Sequence, residues 1–436
     1  MKICVIGTGY VGLVAGVCFA DAGHDVTCVD KDPNKINLLN DNKIPIYEPG
    51  LEELLKGAVT KQKIQFTTDL PKAVQNNEVV FIAVGTPEKE DGNADMGPTY
   101  QVVQSICDSA NGKKFVVLKS TVPIGTGRDV KNYFKEHCKQ PIEVVNNPEF
   151  LKEGAAIDDF LKPDRVVIGC ESEDARKAMQ ELYDPFVKNG NPIIFMDNTS
   201  AEMTKYAANS FLSVKISFIN EMAKLADAVG ADIDSVRKGF TSDARINPAF
   251  FYPGVGFGGS CFPKDVHALI KTGQKNNIPM KIVGSALEVN REQKFYLVEL
   301  AQKHFGGNLK GKRIAMWGLS FKPKTDDVRE APAQYMIKKL NELGASVVAY
   351  DPVGGENAKQ FFGTPFDLGT DPLEITKGAD ALFNVTEWNE FRNPNLDTIK
   401  ANLKNPVIFD GRNVLNPAKV KEQGFNYYCV GRQALV

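Results

Sequence analysis

Apolar positions follow two rhythms over the first two hundred residues. Short continuous runs at Lys2–Ile6, Asp25–Val29, Val79–Val84, Phe115–Lys119, Ile142–Val145 and Val166–Ile168 alternate with stretches in which apolar residues return at every third or fourth position. The short runs predict strands buried on both faces of a parallel sheet, and the longer stretches predict the helices that cover it. The rhythm then changes. From Thr199 to Val229 apolar residues recur at helical spacing (Met203, Tyr206, Ala207, Phe211, Val214, Ile219, Met222, Leu225), with no Pro or Gly before Gly230. This predicts one helix of roughly 30 residues and ~45 Å. Helical patterning continues to about His304, and from Lys312 the alternation resumes. Arg313–Trp317, Ser346–Tyr350, Ala381–Asn384 and Val407–Phe409 read as strands, and Ala333–Leu343 as a helix between them. The expected fold class is α/β, two Rossmann-like doubly wound domains joined by a central helical domain with a long helix. Domains are expected at residues 1–198, 199–308 and 309–436.

Composition narrows the function classes. The 436 residues carry a formal charge of −2, with acids and bases interspersed, so no basic face points to nucleic acid or a membrane surface. No apolar stretch reaches the ~20 residues of a membrane span. The start MKICVIGTGYVG is interrupted by glycine after Ile6, as a strand entering a turn is and a signal peptide is not. Eight scattered cysteines without a CxxC pair suit a reducing, cytoplasmic setting. Four histidines show no metal-ligand spacing, and no metal is expected.

The first candidate chemistry lies in the opening turn. After the strand Lys2–Ile6 come Gly7-Thr8-Gly9-Tyr10-Val11-Gly12, an apolar helix to Ala22, and a second strand ending at Asp30. The glycines allow a tight turn, close approach of backbone to pyrophosphate, and close packing of helix on strand. The helix N-terminus offers free N–H groups to phosphate. A carboxylate at Asp30 accepts ribose hydroxyls and repels a 2′-phosphate, so NAD is expected rather than NADP. Val84-Gly85-Thr86-Pro87 and Ser120-Thr121-Val122 follow later strands, where such sheets also bind ligands.

The second lies at Pro253-Gly-Val-Gly-Phe-Gly-Gly-Ser-Cys261-Phe-Pro-Lys264-Asp265. Four glycines in this stretch let backbone wrap closely round a ligand, and Pro263 suits a helix start. Cys261 just before that helix, with Lys264 one turn in, sits where a thiolate is favoured. Lys205 and Asn209 share one face of the long helix and could hold an oxyanion. The segment Asn147–Gly154 reads as an N-cap, a first-position proline and two glutamates, Glu149 and Glu153, in a first helical turn. Acids there also serve a helix dipole without any chemistry.

Taken together, GTGYVG, VGTP, STVPIGT, NPEFLKEG with PDRVVIG, KYAANSF, GFGGSCFPKD and GLSFKPKTDDVRE resemble, in order from Met1 to about residue 430, the UDP-glucose/GDP-mannose dehydrogenase family of nucleotide-sugar 6-dehydrogenases. The resemblance implies two NAD-dependent oxidations of a sugar C6 alcohol to a uronic acid, with UDP-glucose as substrate and UDP-glucuronate as product. It implies that Cys261 captures the aldehyde, Lys205 and Asn209 stabilise an oxyanion, and Thr121, Glu149 and Asp265 position or activate water, with Glu149 as base. Cofactor contacts are implied at Gly7, Gly9, Tyr10, Val11, Gly12, Asp30, Lys35, Thr86, Thr121, Glu153, Lys264 and Arg329. Substrate contacts are implied at Glu149, Phe150, Leu151, Lys152, Glu153, Lys205, Asn209, Phe250, Phe251, Tyr252, Pro253, Gly254, Gly258, Lys322 and Arg412. Arg245 is implied to reach the substrate of a neighbouring subunit, so a homodimer or larger homo-oligomer is expected. The last domain then binds the nucleotide sugar, since Gly318-Leu-Ser-Phe-Lys lacks a three-glycine turn for a second NAD. Alternatives are a sister enzyme acting on GDP-mannose or UDP-N-acetylmannosamine, a β-hydroxyacid dehydrogenase, and a non-catalytic NAD-binding sensor. The β-hydroxyacid reading leaves the cysteine loop and the third domain without a use.

Overall fold

The computed structural model describes residues 1–89, 91–187 and 190–435. It divides into two compact units, residues 1–208 with 267–276, and residues 209–266 with 277–436.

The first unit is built on an eight-stranded sheet. Its strands are β1 (Lys2–Ile6), β2 (Asp25–Val29), β3 (Ile64–Thr67), β4 (Val79–Ile82), β5 (Lys114–Leu118), β6 (Ile142–Asn146), β7 (Val166–Gly169) and β8 (Ile193–Met196). The spatial order is β3-β2-β1-β4-β5-β6-β7-β8, parallel except for β6 against β7. Strand order reverses between β1 and β4, and at such a switch point the loops at the carboxyl ends part to leave a crevice. Residues on the two faces of the sheet form two separate cores, one centred on Phe19, Phe81, Phe160 and Tyr183, the other on Ile82, Val103, Val116 and Val130. Helix α1 (Tyr10–Asp21) is buried along most of its length against the first of these. Helix α2 (Thr126–His137) follows β5 on the other face, where its Val130 and Phe134 join the second.

The second unit carries six parallel strands, β9 (Arg313–Trp317), β10 (Ser346–Tyr350), β11 (Asp367–Leu368), β12 (Ala381–Asn384), β13 (Val407–Asp410) and β14 (Asn426–Cys429), in the order β11-β10-β9-β12-β13-β14. Helix α3 (Asn198–Val229) begins in the first unit and ends in the second, and α4 (Phe262–Lys275) begins in the second and ends in the first. The 32 residues of α3 match the length that its uninterrupted periodicity predicts.

Two differences from expectation have physical causes. The strands absent from the expectation (β3, β8, β11 and β14) are the four sheet edges. In β3 and β14 exposed or half-exposed positions alternate with buried ones and polar residues break the run, β11 is only two residues long, and β8 is a short apolar run (Ile193–Met196) left half-exposed at its edge. The segment 147–154 is not a first helical turn; helix begins only at Ala156. Its capping chemistry is overridden by tertiary partners, because Lys205 takes the Glu149 carbonyl and Glu48 takes the Gly154 N–H.

Candidate active site

In the first unit, the Gly7–Gly12 turn leaves β1 at the switch point. Gly7 has φ +103°, and a Cβ there would lie 2.6 Å from the Ala83 carbonyl oxygen. A Cβ at Gly12 would meet the Gly7 carbonyl oxygen at 2.0 Å, so α1 packs on the strand only with glycine at this position. At Gly9 a Cβ would meet nothing within 4 Å. Two glycines are therefore demanded by the protein's own packing, while Gly9 leaves open space beside the first-turn N–H groups of α1, as a pyrophosphate needs.

Asp30 stands at the end of β2. Its Oδ2 accepts from Thr8 N–H at 2.8 Å and Thr8 Oγ1 at 2.7 Å, and its Oδ1 accepts from Asp32 N–H at 3.0 Å. Burial pushes its carboxyl up, but these donors and nearby Lys35 outweigh it and hold the group charged below its ordinary range. The residues thus fit NAD. The equivalent acid of the second sheet, Asp351 after β10, is buried and spent inside its own fold. It accepts from the N–H groups of Leu319, Ser320, Val353 and Gly354 and from Trp388 Nε1. That leaves no carboxylate for a second ribose, in keeping with the absence of a glycine turn.

Further along the same sheet edge, buried charges gather at the ends of β5 and β6. Lys205 Nζ donates to the Glu149 carbonyl oxygen at 2.6 Å and to its Oε1 at 3.0 Å. The side chains are 5% and 6% exposed, so the pair is out of water and each ion depends on the other. Leu151 N–H donates to Glu149 Oε2 at 2.7 Å. Burial would raise the Glu149 carboxyl; Lys205, this N–H and the charge of Lys119 hold it below its ordinary value. Lys119, fully buried, donates to Asn147 Oδ1 at 2.9 Å, and desolvation pushes its ammonium down to about 7. Phe150 receives the Arg165 guanidinium 3.7 Å above its ring, and Lys152 pairs with Asp159. Thr86 Oγ1 donates to the Thr121 carbonyl oxygen at 2.9 Å. Tyr10 donates to Glu48, which also accepts from Gly154 N–H at 2.6 Å and Ala156 N–H at 2.8 Å, so the residues flanking Glu153 are tied to the start of α1.

The remaining candidates lie in the second unit. Cys261 immediately precedes α4, and its carbonyl accepts from Asp265 N–H at 2.9 Å, which places the thiol at the helix N-terminus. Asp265 is 1% exposed; its Oδ2 accepts from Asn209 Nδ2 at 2.7 Å and its Oδ1 pairs with Lys264 at 2.9 Å. Asn209 and Lys205 stand one turn apart on α3. The glycine-rich loop is held by buried amides: Asn220 accepts from Gly254 N–H, Gln293 donates to the Gly254 carbonyl oxygen, and Asn290 bonds both polar groups of Phe257. Gly258 runs so close to another strand of backbone that a Cβ would meet the Glu330 carbonyl oxygen at 2.2 Å. Next to the same loop, Phe250 adopts φ +70°, a strained conformation for a bulky residue. Phe251 is buried and Tyr252 exposed. Arg412 Nε donates to the Val385 carbonyl oxygen at 2.7 Å and pairs with Glu387, and Lys322 Nζ lies 5.4 Å from the Phe321 ring centroid. Arg329 pairs with Asp327, and Arg245, its side chain 88% exposed, pairs with Asp243. Among the described residues, no cluster of three His, Cys, Asp or Glu side chains could hold a metal. Glu48, Lys119, Glu202, Asn220 and Asn290 did not stand out in sequence. Their partners lie tens to more than a hundred residues away, so no local spacing signals them.

A doubly wound sheet with an open glycine turn at its switch point and an acid at the end of β2 is the arrangement of a dinucleotide-dependent dehydrogenase. Residues 1–187 match the NAD binding domain of the UDP-glucose/GDP-mannose dehydrogenase family, residues 199–292 its central domain and residues 315–417 its UDP binding domain. The chain belongs to that family. It is 46% identical to a UDP-glucose 6-dehydrogenase of Rhizobium meliloti, over 99% of this chain and 100% of the relative. It superposes with TM-score 0.92 on a UDP-glucose dehydrogenase of Pyrobaculum islandicum, 36% identical and covering 99% and 98% of the two chains. A UDP-D-ManNAc dehydrogenase of Pyrococcus horikoshii is more distant, at 26% identity and TM-score 0.88 over 99% of each chain.

The Lys205–Glu149 pair generates a test. Replacing Lys205 with Met strands a buried carboxylate and is expected to cost ~3–5 kcal/mol in denaturant unfolding near neutral pH. Glu149, held below its ordinary 4.5, contributes stability that is present above that value and lost as pH falls through its folded value. Without Lys205 its carboxyl rises, and protonation removes the unpaired charge. Part of the deficit should therefore disappear on acidification from about pH 7 to 5; a deficit constant across that interval contradicts the pairing.

Proposed function

We propose that the protein oxidises UDP-glucose at C6 twice, with two NAD, to UDP-glucuronate. The observation that carries this reading is Cys261 at the N-terminus of α4, beyond a glycine-rich loop whose backbone is fixed by Asn220, Asn290 and Gln293. A single alcohol oxidation needs no such thiol; a second oxidation needs the aldehyde converted to something with a hydride to lose. The full-length likeness to UDP-glucose dehydrogenases supports the choice of sugar.

NAD supplies the hydride acceptor in both oxidations. Gly7, Gly9, Gly12 and the α1 N-terminus would hold its pyrophosphate and Asp30 its ribose, and Tyr10, Val11, Lys35, Thr86, Thr121, Glu153, Lys264 and Arg329 would supply further contacts. Lys205 and Asn209 stabilise the oxygen as it bears negative charge. The Cys261 thiolate adds to the aldehyde carbon, giving a thiohemiacetal whose hydride is then removed to leave a thioester. Water positioned by Thr121 and Asp265 attacks the thioester carbon with Glu149 as base, the C–S bond breaks, and Cys261 leaves as thiolate. Phe150–Lys152, Phe250–Gly254, Gly258, Lys322 and Arg412 bind the nucleotide sugar. The working division remains an NAD-binding part at 1–198, a helical part at 199–308 and a sugar-nucleotide part at 309–436. A cytoplasmic location suits the eight free cysteines, and no helix among the described residues is long and apolar enough to cross a membrane.

Incubation with NAD and UDP-glucose should release two NADH per sugar consumed. Cys261→Ser should abolish uronate formation while NAD still binds. One NADH per sugar, faster use of GDP-mannose or UDP-N-acetylmannosamine, or near-normal uronate from the serine variant contradicts the reading.

A homodimer is part of this proposal. Met203, Phe211, Phe218, Leu225 and Val229 recur at helical spacing along α3 and are 57%, 64%, 45%, 54% and 68% exposed, an apolar stripe unusual for a monomer surface. Arg245, its side chain exposed beside Asp243, would reach the substrate site of a second copy. Sedimentation should give a dimer or larger species, and Phe211→Glu with Leu225→Glu should give monomers; a monomeric unmodified protein overturns it.

A further inference from the structure

The loop between β5 and α2 carries Thr121 and is gripped from two sides. On one, Ser120 Oγ donates to the Val84 carbonyl oxygen at 2.6 Å and Thr86 Oγ1 donates to that of Thr121. On the other stands Glu202 of α3, a residue the mechanism above does not use. Its Oε2 accepts from Gly125 N–H at 2.5 Å, and its Oε1 from Gly127 N–H at 2.6 Å and Asn146 Nδ2 at 3.1 Å. Glu202 is 3% exposed, and burial raises its carboxyl against the pull of these donors.

A carboxylate on the first-turn N–H groups of α2 is an N-cap delivered from a distant helix. Capping alone explains a modest gain in helix stability, but the location does more. Glu202 is three residues before Lys205 on α3, hence on the same face. Both side chains line one water-sized cavity with Ser120, Thr121 and Asn146. The fit has little slack: a Cβ at Gly127 would meet Asn146 Nδ2 at 2.3 Å and Glu202 Oε1 at 3.2 Å. One side chain therefore sets the spacing between the Thr121 loop and the helical turn that bears Lys205.

We propose that Glu202 is a positioning residue for the hydrolytic step, holding the Thr121 loop against α3 so that water is placed for attack on the Cys261 thioester. The proposal rests on the double-oxidation reading. In that step the water oxygen bonds to the acyl carbon, the C–S bond breaks, the thiol leaves as thiolate, and the water's protons pass to Glu149 and solvent. Hydride transfer does not use that water, so disturbing Glu202 should separate the two kinds of step.

Glu202→Gln keeps the shape but offers one acceptor oxygen where two backbone N–H groups need one each; Glu202→Asp shortens the reach. Each variant is mixed with NAD and UDP-glucose and followed by rapid-quench NADH release and intact mass. The expected result is a burst of two NADH per site at near-normal rate, then turnover reduced by ~10²-fold. A uronyl adduct should accumulate on the protein, and KM for UDP-glucose should stay within about threefold. A merely structural role would lower burst and steady state together and leave the protein free of adduct, and that outcome overturns the proposal, as does unchanged turnover. Near-ultraviolet circular dichroism of each variant at the assay temperature identifies any unfolded variant, and loss of activity with an intact fold but no adduct also counts against it. Failure of the unmodified protein to make two NADH removes the underlying reading instead, so the two failures are distinguishable.

Discussion

The constraint on which the first unit turns is that an ion taken out of water must find its counter-charge or its hydrogen bonds inside the protein. Glu149 and Lys205 satisfy it with each other, Lys119 with Asn147, and Glu202 with the backbone of α2. Each solution joins a loop at the carboxyl end of the sheet to a different element. The 147–151 segment is tied to α3, β5 to the loop after β6, and the β5–α2 loop to α3. A sheet of buried parallel strands supplies a rigid floor, and these pairings decide where the loops above it stand.

The second unit meets the same constraint with neutral groups. Asn220, Asn290 and Gln293 satisfy the backbone of the glycine-rich loop, whose own packing comes chiefly from the buried Val255 and Phe257. The loop can therefore be both thin enough to lie against Glu330 and fixed enough to present Cys261 at a helix start. Asp351 shows the converse. A carboxylate in the ribose-binding position of a doubly wound sheet becomes purely structural once it is buried and five donors of its own fold converge on it, whereas Asp30 is only half-buried and takes three.

Much of this was legible in sequence where the cause is local. Central strands are apolar on both faces and announce themselves; α3 carries an unbroken 3.6-residue rhythm; Gly7, Gly12 and Asp30 stand at spacings fixed by one βαβ unit. Edge strands such as β3 and β14 lose the signal because alternate positions of each are exposed or half-exposed and polar residues interrupt the run. The 147–154 segment misled because Asn-Pro-Glu has the chemistry of a helix start, and its partners Lys205 and Glu48, more than fifty and about a hundred residues away, hold it out of a helix. Glu202 and Glu48 were invisible for the same reason: a buried carboxylate is recognised by what it faces, and that is set by the fold.

The central claim is that the sugar, once oxidised to the aldehyde, stays bonded to Cys261 until its release as an acid. Turnover in water enriched in oxygen-18, with mass analysis of the uronate carboxyl, tests it most directly. Hydrolysis of a thioester formed without free aldehyde places one solvent oxygen in each carboxylate, the other being the original C6 oxygen. Two labelled oxygens would mean that the aldehyde left the thiol and exchanged as its hydrate, and that result would contradict the account.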